Sequence, residues 1–200
     1  MMKHRSVKPR FLSIFLGGIQ EKPLRLLYCV GAAIVGALLL RYANFAFHVG
    51  DWLFTLSFWA LPALAVSVLF GPAAGMITGA LSHAGGTLLL SGALSLGATA
   101  YLWEYTLTAG LMGAVPGLYF IRFPRRCIPT YAYLLLAVAS AVVIFPTLID
   151  SAIAALLSGG SYSALLFPAA VCQIPLAALY ALIIYWIYIL YDRIVNPLNE

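Results

Sequence analysis

The chain has 200 residues, of which 64% are hydrophobic and 8% charged, with a mean hydropathy of +1.00 and a formal net charge of +5. A soluble globule needs a polar shell and a disordered chain needs low hydrophobicity, so this composition excludes both classes and indicates an integral membrane protein. Long apolar runs without strict alternation favour helices over a barrel, and the length allows about six spans of about 20 residues each.

The chain divides into a basic N-terminal segment (1–24), a membrane domain (25–191) and a short tail (192–200). A semi-polar loop (41–51) follows the first apolar run, and a linker rich in Gly, Ser and Ala (91–99) follows the third. The predicted fold is all-α, a compact bundle of six transmembrane helices. In chain order, these helices are expected at about 26–40, 52–70, 73–90, 101–121, 128–149 and 165–191.

Basic residues orient this bundle. With six spans and a cytoplasmic N-terminus, every Lys and Arg except Arg41 falls on the cytoplasmic side, as the positive-inside rule requires. Five or seven spans would split the basic residues between the two sides. We therefore expect a multi-pass membrane protein with both termini in the cytoplasm. Because the basic residues lie at membrane edges, they indicate topology and contact with lipid, and no nucleic-acid partner is expected.

Polar and aromatic side chains gather at the outer end of the predicted bundle. Aromatic walls with a few polar groups are typical of small-molecule pockets. The same residue types also suit ordinary loops and membrane interfaces, so both interpretations stay open. The candidate substrate-binding residues are Arg41, Asn44, His48, Asp51, Trp52, Trp103, Glu104, Tyr105, Asp150 and Tyr162.

Two carboxylates and one histidine stand out because they lie within or beside apolar runs. Glu104 is at the mouth of the fourth span, where a carboxylate is costly unless it is paired or faces a cavity. It has two interpretations, as the partner of a cationic ligand or as an ion pair with Arg41, and Asp150 is ambiguous in the same way. His83 lies in the middle of the third span, and we predict that it makes an interhelical hydrogen bond.

Motifs for catalysis or metal binding are not found in the sequence. There is no GxSxG elbow, HExxH pair or phosphate-binding lysine loop, so we expect no enzymatic activity and no cofactor. The three cysteines, at positions 29, 127 and 172, lack the spacing of zinc ligands, and no metal site is expected.

The first predicted helix carries small residues four positions apart, Ala32 with Gly36 and Ala33 with Ala37. Such pairs let another helix approach closely in a membrane. They predict either a docking groove for a partner protein or close packing inside the bundle.

The stretch LPALAVSVLFGPAAGMITGALSH, residues 61–83, resembles the substrate-binding S components of energy-coupling factor (ECF) transporters, in which Gly-Pro-x-x-Gly introduces a glycine-rich helix. The run YTLTAGLMGAVPGLYF, residues 105–120, looks like the fourth helix of the same family, and residues 161–183 are similar to its sixth. Ala33 and Ala37 match the AxxxA motif of its first helix. The resemblance covers about residues 25–190 in loose patterns.

This resemblance implies a subunit that captures a vitamin or related micronutrient outside the cell. It implies docking on a transmembrane T component and two ABC-type ATPases, which alone use ATP, with Ala33 and Ala37 at the T contact and residues 42–52 as a lid over the pocket. The Glu104-Tyr105 pair resembles one in thiamine-binding members and favours a thiamine-like ligand. Folate-type members usually have Pro-Gly-Phe where this chain has Trp-Glu-Tyr.

Two other classes of function are open. A structural membrane protein of the MreD cell-shape type has similar size and topology, and it predicts no pocket. A small membrane enzyme would need a catalytic pair that the sequence does not reveal.

Overall fold

The computed structural model describes residues 23–91, 96–121 and 131–195. The predicted basic N-terminal segment and the basic turn before the fifth span lie outside these residues, as does most of the predicted tail. In the described residues the elements are α1 (Pro23–Tyr42), β1 (Asn44–Val49), β2 (Trp52–Ser57), α2 (Ala60–Phe70), α3 (Pro72–Ser91), α4 (Leu96–Phe120), α5 (Tyr131–Val142), a π-helical segment (Val143–Ile149), α6 (Asp150–Ser158) and α7 (Tyr162–Val195).

Three helical stretches are long and apolar enough to cross a membrane, Arg25–Tyr42, Tyr131–Ser158 and Tyr162–Tyr191. Together with the nearly all-helical architecture, they confirm a membrane-embedded, helical protein. Helices α3 and α4 lie where the third and fourth spans are expected. The count of six spans and the cytoplasmic termini stay predictions.

The second predicted span, 52–70, is wrong as a continuous helix. Its first six residues form strand β2, which pairs with β1 in an antiparallel hairpin, so the fold is not purely α-helical. Both strands are rich in aromatic and β-branched residues, Phe45, Phe47 and Val49 in β1 and Trp52, Phe54 and Thr55 in β2, which favours extended chain. Gly50, at a positive φ of 60°, supplies the turn between them. The remaining helix α2 has 11 residues, about 16 Å, and covers only half of a bilayer core.

Close backbone contacts hold α1, α3 and α4 together. A Cβ added to Gly75 or Gly113 would collide with the backbone oxygen of the other glycine, and one added to Gly79 would collide with the Ala109 carbonyl. These contacts run in opposite order along the two helices, so α3 and α4 are antiparallel. A Cβ added to Gly36 of α1 would collide with the side chain of Ser82 on α3. Small residues therefore set the spacing of this half of the bundle.

Large side chains fill the other half of the core. Leu64 of α2, Leu134 and Val138 of α5 and Tyr180 and Ile184 of α7 belong to one buried cluster. A polar contact ties the two halves together, because the backbone N–H of Gly117 on α4 donates to the hydroxyl of Ser67 on α2 over 2.8 Å. The hairpin continues from α1 and rests on the side of α7.

Because α3 and α4 approach closely, we expect substitution of two helical glycines by alanine to affect stability differently. Replacing Gly75 by alanine forces the two backbones apart and is expected to destabilise the protein by about 1–3 kcal/mol. Gly31 has open space where a Cβ would stand, so Gly31→Ala is expected to be neutral or to stabilise by up to about 1 kcal/mol through helix propensity. Thermal unfolding in detergent measures both, and equal behaviour of the two variants would contradict the close contact.

Candidate functional site

The β1–β2 hairpin is amphipathic. Antiparallel pairing places directly opposed residues on the same face, and faces alternate along each strand. One face is wholly apolar and consists of Phe45, Phe47, Val49, Trp52, Phe54 and Leu56; the other consists of Asn44, Ala46, His48, Leu53, Thr55 and Ser57. The rings of Phe47 and Phe54 stack across the strands, with centroids 5.6 Å apart and planes 15° apart. A two-sided hairpin of this kind separates an apolar environment from a polar one.

A cleft of about 460 Å³ lies between the apolar side of the hairpin and helix α7. Its volume falls within the range of about 300–1,000 Å³ that is usual for small-molecule sites. The hairpin and the residue that follows it provide one wall, and the middle of α7 provides the other. Its lining is Phe47, Val49, Phe54, Leu56, Phe58, Val171, Cys172, Pro175, Leu176 and Leu179.

Two contacts on either side of the cleft hold the hairpin against α7. The hydroxyl of Tyr180, a residue only 1% exposed, donates a hydrogen bond to the backbone carbonyl of Ser57. Nearer the turn, the rings of Trp52 and Phe167 meet with centroids 5.2 Å apart. The hairpin is thus fixed at its base and touches α7 again near its tip, which leaves the space between these points open.

A second feature is a pair of half-buried polar groups on α3 and α4. Nδ1 of His83 lies 3.3 Å from Oγ1 of Thr106, which confirms the predicted interhelical hydrogen bond. The imidazole also contacts the rings of Trp59 (centroids 5.4 Å apart) and Tyr105 (6.2 Å). His83 is therefore held in place by aromatic and polar neighbours from α4 and from the turn before α2.

Asp150 is placed by an irregular turn of helix. Pro146 has no N–H to donate to the carbonyl of Val142, so the regular pattern breaks and a π-helical segment forms. The Thr147 hydroxyl donates to that carbonyl over 3.1 Å. The segment ends at Ile149, directly before Asp150, whose side chain lies near Thr108 on α4. Its Oδ1 atom is buried and has no hydrogen-bond partner among the described residues.

The structure does not bring the ten predicted substrate residues together, and none of them lines the cleft between the hairpin and α7. Arg41 is exposed at the end of α1, and Asp51 is exposed in the hairpin turn. Asn44 and His48 lie on the polar face of the hairpin, whereas Trp52 lies on the apolar face.

The other predicted residues lie on the helices. Trp103 is 74% exposed, and Glu104 beside it is exposed as well. No ion pair joins Glu104 to Arg41 in the described part of the chain, so that interpretation of Glu104 finds no support here. Tyr105 packs near His83, and the Tyr162 hydroxyl lies 3.5 Å from the Leu148 carbonyl. Asp150 is the buried member of the set.

Sequence reasoning missed the residues that line the cleft. The signal was present, because Phe45, Phe47 and Val49 alternate before the Gly50-Asp51 turn and the alternation resumes after it. We interpreted the first run as a loop and the second as the start of a helix. Over so short an apolar stretch, hydrophobicity alone does not separate strand from helix.

The small residues predicted to meet a partner face into the chain. Ala33 and Ala37 are 5% and 6% exposed, and a Cβ on Gly85 of α3 would contact the Ala37 methyl at 3.4 Å. Gly36 is buried against Ser82, and Ala32 is half-buried. This is the internal-packing interpretation of the motif, and Ala33, Gly36 and Ala37 are not presented to a partner in this structure.

No family model matches the chain, and no curated protein matches it with significant similarity. Among the described residues, no group of three or more His, Cys, Asp or Glu side chains could hold a metal ion.

We expect the hairpin to lose order when the hydrogen bond between Tyr180 and Ser57 is removed. In Tyr180→Phe the Ser57 carbonyl loses its partner, which is expected to cost about 1–3 kcal/mol. Amide hydrogen exchange should quicken across residues 44–57 first. Tyr162→Phe is the control, since the bond it removes is long and exposed; equal effects of the two variants would show that Tyr180 does not tether the hairpin.

The buried Oδ1 atom of Asp150 leads to a second prediction. A carboxylate with a partnerless oxygen inside a membrane domain is costly, so Asp150→Asn should leave the thermal midpoint unchanged or raise it. Asp51→Asn, at the exposed turn, should leave it unchanged. A destabilisation of Asp150→Asn by about 1 kcal/mol or more, seen as a drop of about 2–4 °C, would show that the carboxylate has a stabilising partner.

Proposed function

We propose that the chain is the membrane-embedded substrate-capture subunit of an ECF-type ABC importer. The observation that carries this proposal is the cleft between the hairpin and α7, which has the volume and the apolar walls of a small-molecule site. The chain itself performs no catalysis in this proposal. It binds a vitamin or related micronutrient outside the cell and delivers it with the help of partner subunits.

The hairpin supports an outward-facing site. A two-stranded sheet has free backbone groups along its outer edges, and such edges are not stable in contact with lipid hydrocarbon. The hairpin therefore belongs at the aqueous mouth of the bundle or against a wet cavity. With the N-terminus in the cytoplasm, the hairpin follows the outer end of α1, where an extracellular nutrient enters.

The Gly-Pro stretch that carries the family resemblance forms the junction between α2 and α3. Gly71 has a φ of 101°, a conformation that glycine tolerates best, and ends α2. Pro72 then opens α3, where its missing N–H costs nothing. The two helices consequently fold back on each other, and α2 carries the hairpin at its other end.

Energy for uptake comes from partners in this proposal. The sequence has no phosphate-binding loop, so a T component and two ABC-type ATPases drive transport in the bacterial plasma membrane. The buried position of Ala33 and Ala37 means that the T component must meet another surface of the chain, or that α1 must move relative to α3. Substituting Ala33 by leucine would first disturb internal packing, so it does not isolate the partner contact.

Native mass spectrometry of the purified full chain, eluted from detergent, tests capture directly. We expect one small molecule bound per chain without added ATP, released on unfolding and absent from the medium blank. If the chain is instead a structural protein of the MreD type, the cleft binds no nutrient, and only lipid adducts are expected. Cells that express the chain with and without a T component and two ATPases then separate capture from uptake. Binding without partners, and uptake only with them, is the expected pattern.

A further inference from the structure

We propose that the molecule taken into the cleft between the hairpin and α7 has an uncharged, mainly apolar body with a planar aromatic ring system. This inference rests on the proposed function and deepens it by naming the substrate class. It differs from the thiamine-like cation that the Glu104-Tyr105 pair favours in the sequence, since neither residue lines the cleft.

The lining contains no charged or polar side chain other than the thiol of Cys172. A charged group that entered the cleft would lose its hydration without gaining a side-chain partner, which is costly in a site of low dielectric. Burial of apolar surface in the same cleft is favourable, because it removes that surface from water. The walls therefore select against charge and favour apolar surface.

The aromatic side chains on the hairpin favour a flat ligand. The rings of Phe47 and Phe54 are nearly parallel, with planes 15° apart, and both residues line the cleft. Phe58 adds a third ring at the base of the hairpin. Ring systems pack on such surfaces in offset-stacked or edge-on arrangements that contribute about 0.5–1.5 kcal/mol beyond burial alone.

Two fluorescent probes that differ in one charged group test the substrate class. N-phenyl-1-naphthylamine is uncharged, and its 8-sulfonate has the same rings with a negative charge. The full chain in lipid nanodiscs is titrated with each probe, and empty nanodiscs supply the background. We expect saturable binding of one uncharged probe per chain, with the sulfonate at least about tenfold weaker. Equal affinity for both probes, or no saturable binding above background, overturns the proposal.

Two matched tryptophan substitutions place the probe in the cleft. Val49 and Leu53 are on the same hairpin and are 57% and 48% exposed, but only Val49 lines the cleft. Val49→Trp should weaken binding of the uncharged probe by about tenfold or more, while Leu53→Trp should leave it unchanged. On α7, Val171→Trp and the non-lining Ile174→Trp form a second pair, at 47% and 53% exposure. Equal effects within both pairs overturn the assignment to the cleft.

Competition separates failure of this inference from failure of capture itself. An uncharged aromatic nutrient that displaces the probe supports both. A charged nutrient that binds one per chain, as seen by native mass spectrometry, and leaves the probe in place overturns the substrate class while capture stands. Phospholipid that displaces the probe at a one-to-one ratio overturns both, because the cleft is then a lipid site.

Discussion

Most of this structure depends on the need of backbone polar groups for partners inside a membrane domain. Helices meet that need by themselves, but the chain between α1 and α2 is not helical and forms the hairpin, whose last residue is Ser57. The Tyr180 hydroxyl bonds to the Ser57 carbonyl at this point and ties the base of the hairpin to α7. The buried side chain of Tyr180 thereby holds β2 in place of a continued helix. The cleft lies between this hairpin and α7.

The two halves of the bundle are packed by different means, and the difference matters for function. Glycine and alanine bring α3 and α4 into backbone contact, as at Gly75 and Gly113, and let α1 pack closely on α3. Around α7 the packing uses large side chains such as Tyr180 and Leu176, with the hairpin covering a gap. A tightly packed half can support a half that opens to admit a ligand, which agrees with a capture role.

Departures from regular helix geometry lie close to the two candidate features. Pro146 gives rise to the π-helical segment that precedes Asp150, and Pro175 lies in the wall of the cleft. The two features have different chemistry, one carboxylate with a buried free oxygen and one apolar surface. The apolar cleft has room for a guest molecule, and its walls, rather than the acidic residues, set the substrate class that we infer.

Composition alone determined that this is a helical membrane protein, because apolar runs of that length need lipid, and the positions of α1, α3, α4 and α7 follow from those runs. An interhelical hydrogen bond of His83 was also expected from the sequence, and the structure shows that Thr106 of α4 is its partner. The hairpin, the inward packing of Ala33 and Ala37 and the cleft were decided only by tertiary structure. A short apolar stretch such as 52–57 fits strand and helix equally well, and a small residue suits any helix that comes close. Which of these occurs depends on distant neighbours, here Tyr180 and the glycines of α3, whose proximity no local pattern encodes.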